Sequence, residues 1–362
     1  MFHLSMNLAH LKMIFVSIGV SLVFVEIFMI ITGTMSTSWE KNTFFFNKSS
    51  SNFENNSWYY VWYSDRVISN DEFCHSRKIN SEGLSDKEHK IQKDENEFRI
   101  MAIGDSFTEG DGAHKDSTWL KFLEYRLKQY PLRRKIDYIN AGVCGSDPLF
   151  EFVLFKERLY KYNPDLLVLS VNISDIDDVN VRGGMERFID DGSLRYNETP
   201  WWAWIYNMSH VSRLLFNTIL GYNELFIREG DGKFELAENE IFDCILNFQS
   251  FCDSKRVNLL VVFHPIKQEI IENKLSLDQV YKRTKSNPKL NVLNMLDYFV
   301  LCEGISEDNV DPLYWTQDRH HNAKGYELFA KGVEWKLRQM GILDSLMAKP
   351  DSVGLIKKDY NE

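Results

Sequence analysis

A chain of 362 residues, 44% hydrophobic and 14% aromatic, is long enough for one large domain with additions. Its net charge of −10, with no basic stripe, excludes a nucleic-acid surface. Five scattered cysteines, Cys74, Cys144, Cys244, Cys252 and Cys302, have no metal-ligand spacing and form no dense disulfide framework. Small buried residues are expected at most of them, and no metal or cofactor is expected.

The first predicted element is apolar. Met13 to Gly33 holds thirteen Ile, Leu, Val or Phe residues and one charge, Glu26. As a helix it spans about 31 Å, close to a bilayer core. Each of the thirteen contributes roughly −0.3 to −0.6 kcal/mol to insertion, against about 3 for one acidic residue, so insertion wins. The run is long for a signal peptide, and Ile31-Thr32-Gly33 is a poor cleavage site, so an uncleaved anchor is expected. Lys12 before the helix leans towards residues 1–12 as a cytoplasmic tail and an extracytoplasmic domain on a single-pass membrane protein. Residues 34–97 read as a stalk, with an Asn/Ser-rich stretch at Phe44 to Asn52 and a strand at Trp58 to Tyr63.

From Phe98 the pattern alternates. Strands are predicted at Phe98–Ile103, Ile136–Asn140, Asp165–Val171, Asn258–Pro265 and Leu290–Leu296. Helices are predicted at Ser117–Gln129 (capped by Asp116), Leu149–Tyr160, Phe234–Ser254, Leu277–Lys285 and Lys324–Met340. Continuous apolar strands between helices imply an α/β fold with a parallel sheet covered on both faces. The domain is placed at 98–345, with a C-terminal tail at 346–362. Residues 179–233 interrupt the alternation with Trp201-Trp202-Ala203-Trp204 and an amphipathic stretch, His210 to Phe226. Two readings stand for this insertion, a cap over substrate access and an ordinary helical excursion.

Ligands bind such sheets at the strand C-termini. Gly104-Asp105-Ser106, Gly142 to Gly145, Ser174-Asp175 and His264 all fall there. A serine on a tight strand-to-helix turn projects its hydroxyl and its own N–H into one space. Far along the chain, Asp318-Arg319-His320-His321-Asn322-Ala323-Lys324-Gly325 holds an acid and two histidines. Nucleophile, base and orienting acid are free to occur in any chain order.

Gly104-Asp105-Ser106-Phe107-Thr108-Glu109-Gly110 resembles the first block of the SGNH/GDSL hydrolase family. Asn140-Ala141-Gly142-Val143-Cys144-Gly145 resembles its second block, and Asp318 to Tyr326 its last, in the D-x-H-x-N-x-x-G form. Leu259 to Pro265 is similar to a strand of that family. The resemblance runs from Phe98 to Asp344 and implies a three-layer α/β/α flavodoxin-like sandwich. It implies Ser106 as nucleophile, His320 as base and Asp318 as its orienting acid. His321 is the alternative base, but the spacing to Asn322 and Gly325 favours His320. The oxyanion donors implied are the N–H groups of Ser106 and Gly145. The third block departs from the pattern: Asn172-Ile173-Ser174-Asp175 has Ser174 where the family has Asn. Ser174, or Asn172 nearby, is then the third donor. Asp175, Asp177 and Asp178 either fix that loop or bind a cation.

The implied activity is ester hydrolysis, with acetyl esters on an envelope or secreted carbohydrate as substrate. Trp201, Trp202, Trp204 and His264 are expected to line substrate access. The alternatives are a polysaccharide O-acyltransferase working with envelope assembly proteins, a catalytically weak or inactive binding protein, and a lipase. The other expected partner is the lipid bilayer, through residues 13–33.

Overall fold

A computed structural model describes residues 8–35, 65–188, 201–221 and 230–347. The Phe44 to Asn52 and Trp58 to Tyr63 segments lie outside them. In chain order the first elements are α1 (Leu8–Thr32), β1 (Arg66–Ser69), β2 (Cys74–Arg77), β3 (Glu97–Gly104), α2 (Ser106–Glu109), α3 (Trp119–Leu127), β4 (Lys135–Gly142), α4 (Pro148–Leu154), β5 (Leu166–Val171) and α5 (Ser174–Arg182). Then come α6 (Ala203–Met208), α7 (His210–Leu220), α8 (Lys233–Lys255), β6 (Asn258–Phe263), α9 (Lys267–Glu272), α10 (Asp278–Ser286), β7 (Asn291–Asn294), α11 (Ala323–Gln339) and α12 (Ile342–Leu346). The chain divides into two compact units, Val61–Asn180 with Glu229–Glu362, and Met1–Tyr60 with Val181–Arg228.

The larger unit is the expected α/β sandwich. Its five strands are all parallel, in the order β4-β3-β5-β6-β7. Every residue of β3 and β5 is buried, which requires cover on both faces. The chain steps outward from β3 to β4, then returns across β3 to β5 and continues to β7. Right-handed crossovers therefore put α3 on one face and α4, α8 and α10 on the other. The packing agrees: α3 pairs with α11, whereas α8 pairs with both α4 and α10. The switch point, at which such folds open a crevice, lies between β3 and β5, whose following connections run in opposite directions. Register aligns Gly104 with Gly142 and Val171 with Phe263, so four strand ends share one edge.

Three local expectations change. Thr118, not Asp116, caps α3, because its hydroxyl accepts the Lys121 N–H at 3.4 Å. The fold continues to Met347, since the Leu346 carbonyl accepts the Arg133 N–H at 2.8 Å. Residues 65–97 are no stalk but part of this unit. β1 and β2 form an antiparallel hairpin, and His89 bridges Asp86 and Asp137, each at 3.0 Å. Arg99, 1% exposed, joins Glu97 at 2.7 Å and Asp137 at 3.1 Å, tying the segment to the sheet. Of the cysteines, Cys244 and Cys252 are buried as expected, while Cys74 and Cys302 are exposed.

In the smaller unit, α1 contains Ala9–Thr32, with an 18-residue stretch of mean hydropathy 2.7, long and apolar enough to cross a membrane. Its apolar side chains are largely exposed from Met13 to Ile31, with Met29 buried. α6 and α7 pack against each other, and α7 packs on α1.

Candidate active site

Ser106 opens α2, a single turn directly after β3. Asp105 caps that turn by accepting the Phe107 N–H at 3.0 Å, and Gly110 ends it in the left-handed region at φ 98°. The serine is thereby held at the strand end with its N–H pointing out of the turn, one of the donors a helix start leaves open.

The acid–base pair comes from the loop before α11. His320 Nε2 lies 2.8 Å from Ser106 Oγ, and Nδ1 lies 2.6 Å from Asp318 Oδ1. Arg319 between them takes φ 71°, a left-handed kink that lets side chains two residues apart face each other. The rest of the block supports this loop. Asn322 caps α11, accepting the Lys324 and Gly325 N–H groups at 3.0 and 3.3 Å. A Cβ on Gly325 would stand 2.2 Å from His321 Nδ1 and 2.3 Å from the Leu313 carbonyl oxygen, so only glycine fits there.

His321 and His264 have a different place. Both are buried, at 0% and 1% exposure, with Nε2 atoms 2.9 Å apart and rings stacked. His321 Nδ1–H donates to the Leu313 carbonyl at 3.1 Å, so its Nε2 accepts from His264. His264 therefore does not line substrate access as expected; its strand-end position turns it into the core, against Phe107 and Phe329.

Burial holds both rings neutral: His264 titrates well below its ordinary value, and His321 is brought down to about 3. Unfolded, each ring takes up a proton below about 6.5, whereas folded it stays neutral far lower. Their contribution to stability is thus complete above about pH 6.5. It is lost as pH falls, by up to about 1.4 kcal/mol per pH unit per ring. Glu151 and Asp175, whose carboxyls burial raises, act in the opposite sense. The histidine share is therefore read directly. In ¹⁵N-histidine spectra of the folded protein, both rings are expected to remain neutral at pH 5; a protonated ring there would contradict the buried pair.

The second block meets the first at α2. Asn140 Oδ1 accepts the Gly142 N–H at 3.0 Å, and Glu109 Oε2 accepts the Cys144 N–H at 2.8 Å. Gly145 follows at φ 72°. Among the described residues, neither the Gly145 nor the Ser106 backbone N–H has a hydrogen-bond partner.

The third block does not do what was expected of Ser174. Its hydroxyl lies 2.7 Å from Asn172 Oδ1 and 3.2 Å from Asp105 Oδ2, both acceptors, so its one proton is spent within the loop. Asn172 Nδ2 donates one of its two protons to Asp105 Oδ2 at 2.7 Å and retains a second. Asp175 fixes the loop by accepting the Asn172 N–H at 2.8 Å. Among the described residues no group of three or more His, Cys, Asp or Glu is disposed to hold a metal ion. Burial raises the carboxyls of Asp105, Glu151 and Asp175, and their mutual repulsion adds to it for the last two.

Two residues missed by sequence reasoning hold the acid. Asn70, in the β1–β2 turn, donates to Asp318 Oδ2 at 3.1 Å. Glu72 in the same turn accepts the Thr316 and Asp318 N–H groups, each at 2.8 Å, and the Gln317 N–H at 3.0 Å. Desolvation works against the Glu72 charge, but the N–H groups of Asp318, Gln317 and Thr316 outweigh it and hold its carboxyl below the ordinary value. Val67-Ile68-Ser69-Asn70-Asp71-Glu72 has the form of a strand and turn, the one signal that marked this hairpin. All these residues belong to the α/β unit. Trp201, Trp202 and Trp204 belong to the other, where Trp202 is stacked on Phe216 with centroids 4.3 Å apart.

The parallel sheet and the Ser–His–Asp constellation at its strand ends together have the form of a nucleophilic hydrolase site. No protein-family model and no curated protein matches the chain. Among solved structures, it is similar to a two-domain esterase (CEX) active on acetylated mannans, at 14% identity and TM-score 0.41. That match covers 71% of this chain and 53% of the other, so the chain spans about half that esterase's length. It is also similar to a putative lipolytic protein of the G-D-S-L family from Desulfitobacterium hafniense, at 16% identity, TM-score 0.40 and coverage of 66% and 99%. A third is the lipase Lip_vut3 from a goat rumen metagenome, at 12% identity, TM-score 0.43 and coverage of 66% and 97%. Likeness of that order leaves the geometry of the site as the basis of a functional reading.

Proposed function

We propose that this chain is a membrane-anchored serine esterase. The observation that carries the reading is the relay itself: Ser106 Oγ, His320 and Asp318 joined by contacts of 2.8 and 2.6 Å. Ser106 Oγ attacks an ester carbonyl as His320 Nε2 takes its proton, and Asp318 stabilises the imidazolium. The N–H groups of Ser106 and Gly145, with the second proton of Asn172 Nδ2, receive the oxyanion. His320 returns the proton to the leaving alcohol, and water then releases the acyl group from Ser106. We assign the acyl group as acetyl and its carrier as an envelope or secreted carbohydrate, from the resemblance of the sequence blocks. The apolar α1 supports placement of the domain at a membrane.

Fluorophosphonate labelling of the full chain, with an ester panel beside it, tests this. One label on Ser106, with release of acetate faster than of longer acyl groups, is expected. An unlabelled Ser106 sinks the reading, and acyl transfer to sugar outrunning hydrolysis would replace it with a transferase.

Glu72 offers a subtler check. Glu72→Ala is expected to lower kcat by about 10- to 100-fold with KM little changed, because Asp318 loses its fixed position. Glu72→Gln keeps an acceptor and is expected to recover most of that loss. Equal activity in all three proteins would deny the turn any part in positioning the acid.

A further inference from the structure

The anchor helix carries one carboxylate, Glu26, six residues before its end at Thr32, or about 9 Å along the axis. A bare carboxylate at that depth in a bilayer is costly. This one is enclosed by the start of α7. Ser209 Oγ donates to Oε2 at 2.7 Å, the His210 N–H to Oε1 at 2.8 Å and the Val211 N–H to Oε2 at 2.9 Å. His210 Nδ1 also lies 2.9 Å from Oε1. Ser209 itself caps α7, accepting the Ser212 N–H at 3.2 Å. Three of the donors that a helix start leaves open are thus satisfied without water.

From this point α7 rises beside the end of α1. Arg213, 1% exposed, donates to the Met35 carbonyl at 2.5 Å and to the Tyr206 carbonyl at 3.1 Å. Trp202 on Phe216 closes α6 against α7 into a hairpin whose vertex lies at the level of Glu26. The outward face of this hairpin is apolar. Trp204 and Met208 lie four residues apart on α6, 60% and 76% exposed, and Leu215 and Ile219 four apart on α7, 49% and 73% exposed. α1, on which α7 packs, likewise exposes apolar side chains, Phe24 and Phe28 among them.

We propose that α6 and α7 form a re-entrant hairpin sunk into the bilayer that α1 crosses, with Glu26 sealing its vertex at Met208 to Val211. The partner of the apolar face is lipid. The packing of α7 on α1, internal satisfaction of the polar groups at the vertex, and tryptophans towards the other end of the hairpin, where an interface belt would lie, all point to that occupant. The inference rests on α1 being the anchor that the proposed function requires.

The full chain in palmitoyl-oleoyl phosphatidylcholine vesicles tests it, with p-benzoyl-phenylalanine placed singly at Phe15, Met208 or Leu301. Mass spectrometry after irradiation is expected to find lipid adducts at positions 15 and 208 and none at 301, an exposed site on the α/β unit. No adduct at 15 would overturn the anchor reading. Adducts at 15 without any at 208, or cross-links from 208 to a second copy of the chain, would overturn the hairpin alone. Glu26→Leu is expected to cut the adduct at 208 by about tenfold, the scale of one lost charge-assisted hydrogen bond, while the adduct at 15 persists. Glu26→Gln, which keeps an acceptor, is expected to retain most of it. An unchanged yield in Glu26→Leu would remove Glu26 from the seal.

Discussion

Ser106→Ala is expected to lower kcat for acetyl-ester hydrolysis on the order of 10⁶-fold while leaving thermal stability nearly unchanged. The hydroxyl is the only group in the relay that can form the acyl-enzyme, so no neighbour replaces it. His320→Ala is expected to cost about as much, and the double variant no more, because the residues act as one unit. Asp318→Asn separates position from charge. In the native site His320 Nδ1–H donates a hydrogen bond to Asp318 Oδ1 at 2.6 Å, which leaves Nε2 free to accept from Ser106. An Asn amide donates to Nδ1 instead and drives the ring proton to Nε2, where it faces Ser106. A loss of about 10⁴-fold with the geometry intact is the expected result. Steady-state kinetics on a short-chain ester decides the matter; if Ser106→Ala turns over as the parent does, the proposed chemistry is wrong.

The fold was legible where the signal is local. Runs such as Leu166–Val171 are apolar at every residue but Ser170 because the strand is buried on both faces, and that near-continuity announces a parallel sheet. The placement of His320, rather than His321, beside Ser106 was also legible, because Asn322 and Gly325 must keep their places as cap and close-contact glycine. The part hidden from the sequence depends on long-range closure. Glu72 stands 246 residues from the Asp318 N–H it accepts, and no local pattern connects a turn to a distant loop. His264 falls at a strand end, which reads as a site, yet its rotamer faces the core, where His321 offers a partner. Ser174 was expected from alignment with a motif, but its hydroxyl finds acceptors closer at hand, and short side chains satisfy local acceptors first. The linker assignment failed for a related reason. Residues 81–97 are charged, but their charges are partnered, as by His89 between Asp86 and Asp137, and composition alone does not reveal pairing.

Gly142→Ala is the second variant with a large expected effect, and it joins stability to function. Gly142 ends β4 directly beneath α2. A Cβ there would stand 2.1 Å from the Glu109 backbone N and 2.5 Å from the Thr108 carbonyl carbon. Both are backbone atoms of the turn that carries Ser106, so no side-chain rotation relieves the contact. Either β4 or α2 has to move. The Asn140 Nδ2 bond to the Glu109 carbonyl, at 3.4 Å, and the Glu109 bond to the Cys144 N–H hold the two together and resist that movement. Overpacking of this kind is expected to cost about 3 kcal/mol or more. A displacement of α2 by about 1 Å is also expected to lower kcat about 10²-fold, because Ser106 leaves the reach of His320 and the Gly145 N–H shifts with the loop. Urea titration and single-turnover acylation, run on the same preparation, separate the two losses. A Gly142→Ala protein that matches the parent in both would mean that the nucleophile turn does not rest on β4, and that the second block serves the site by some other contact.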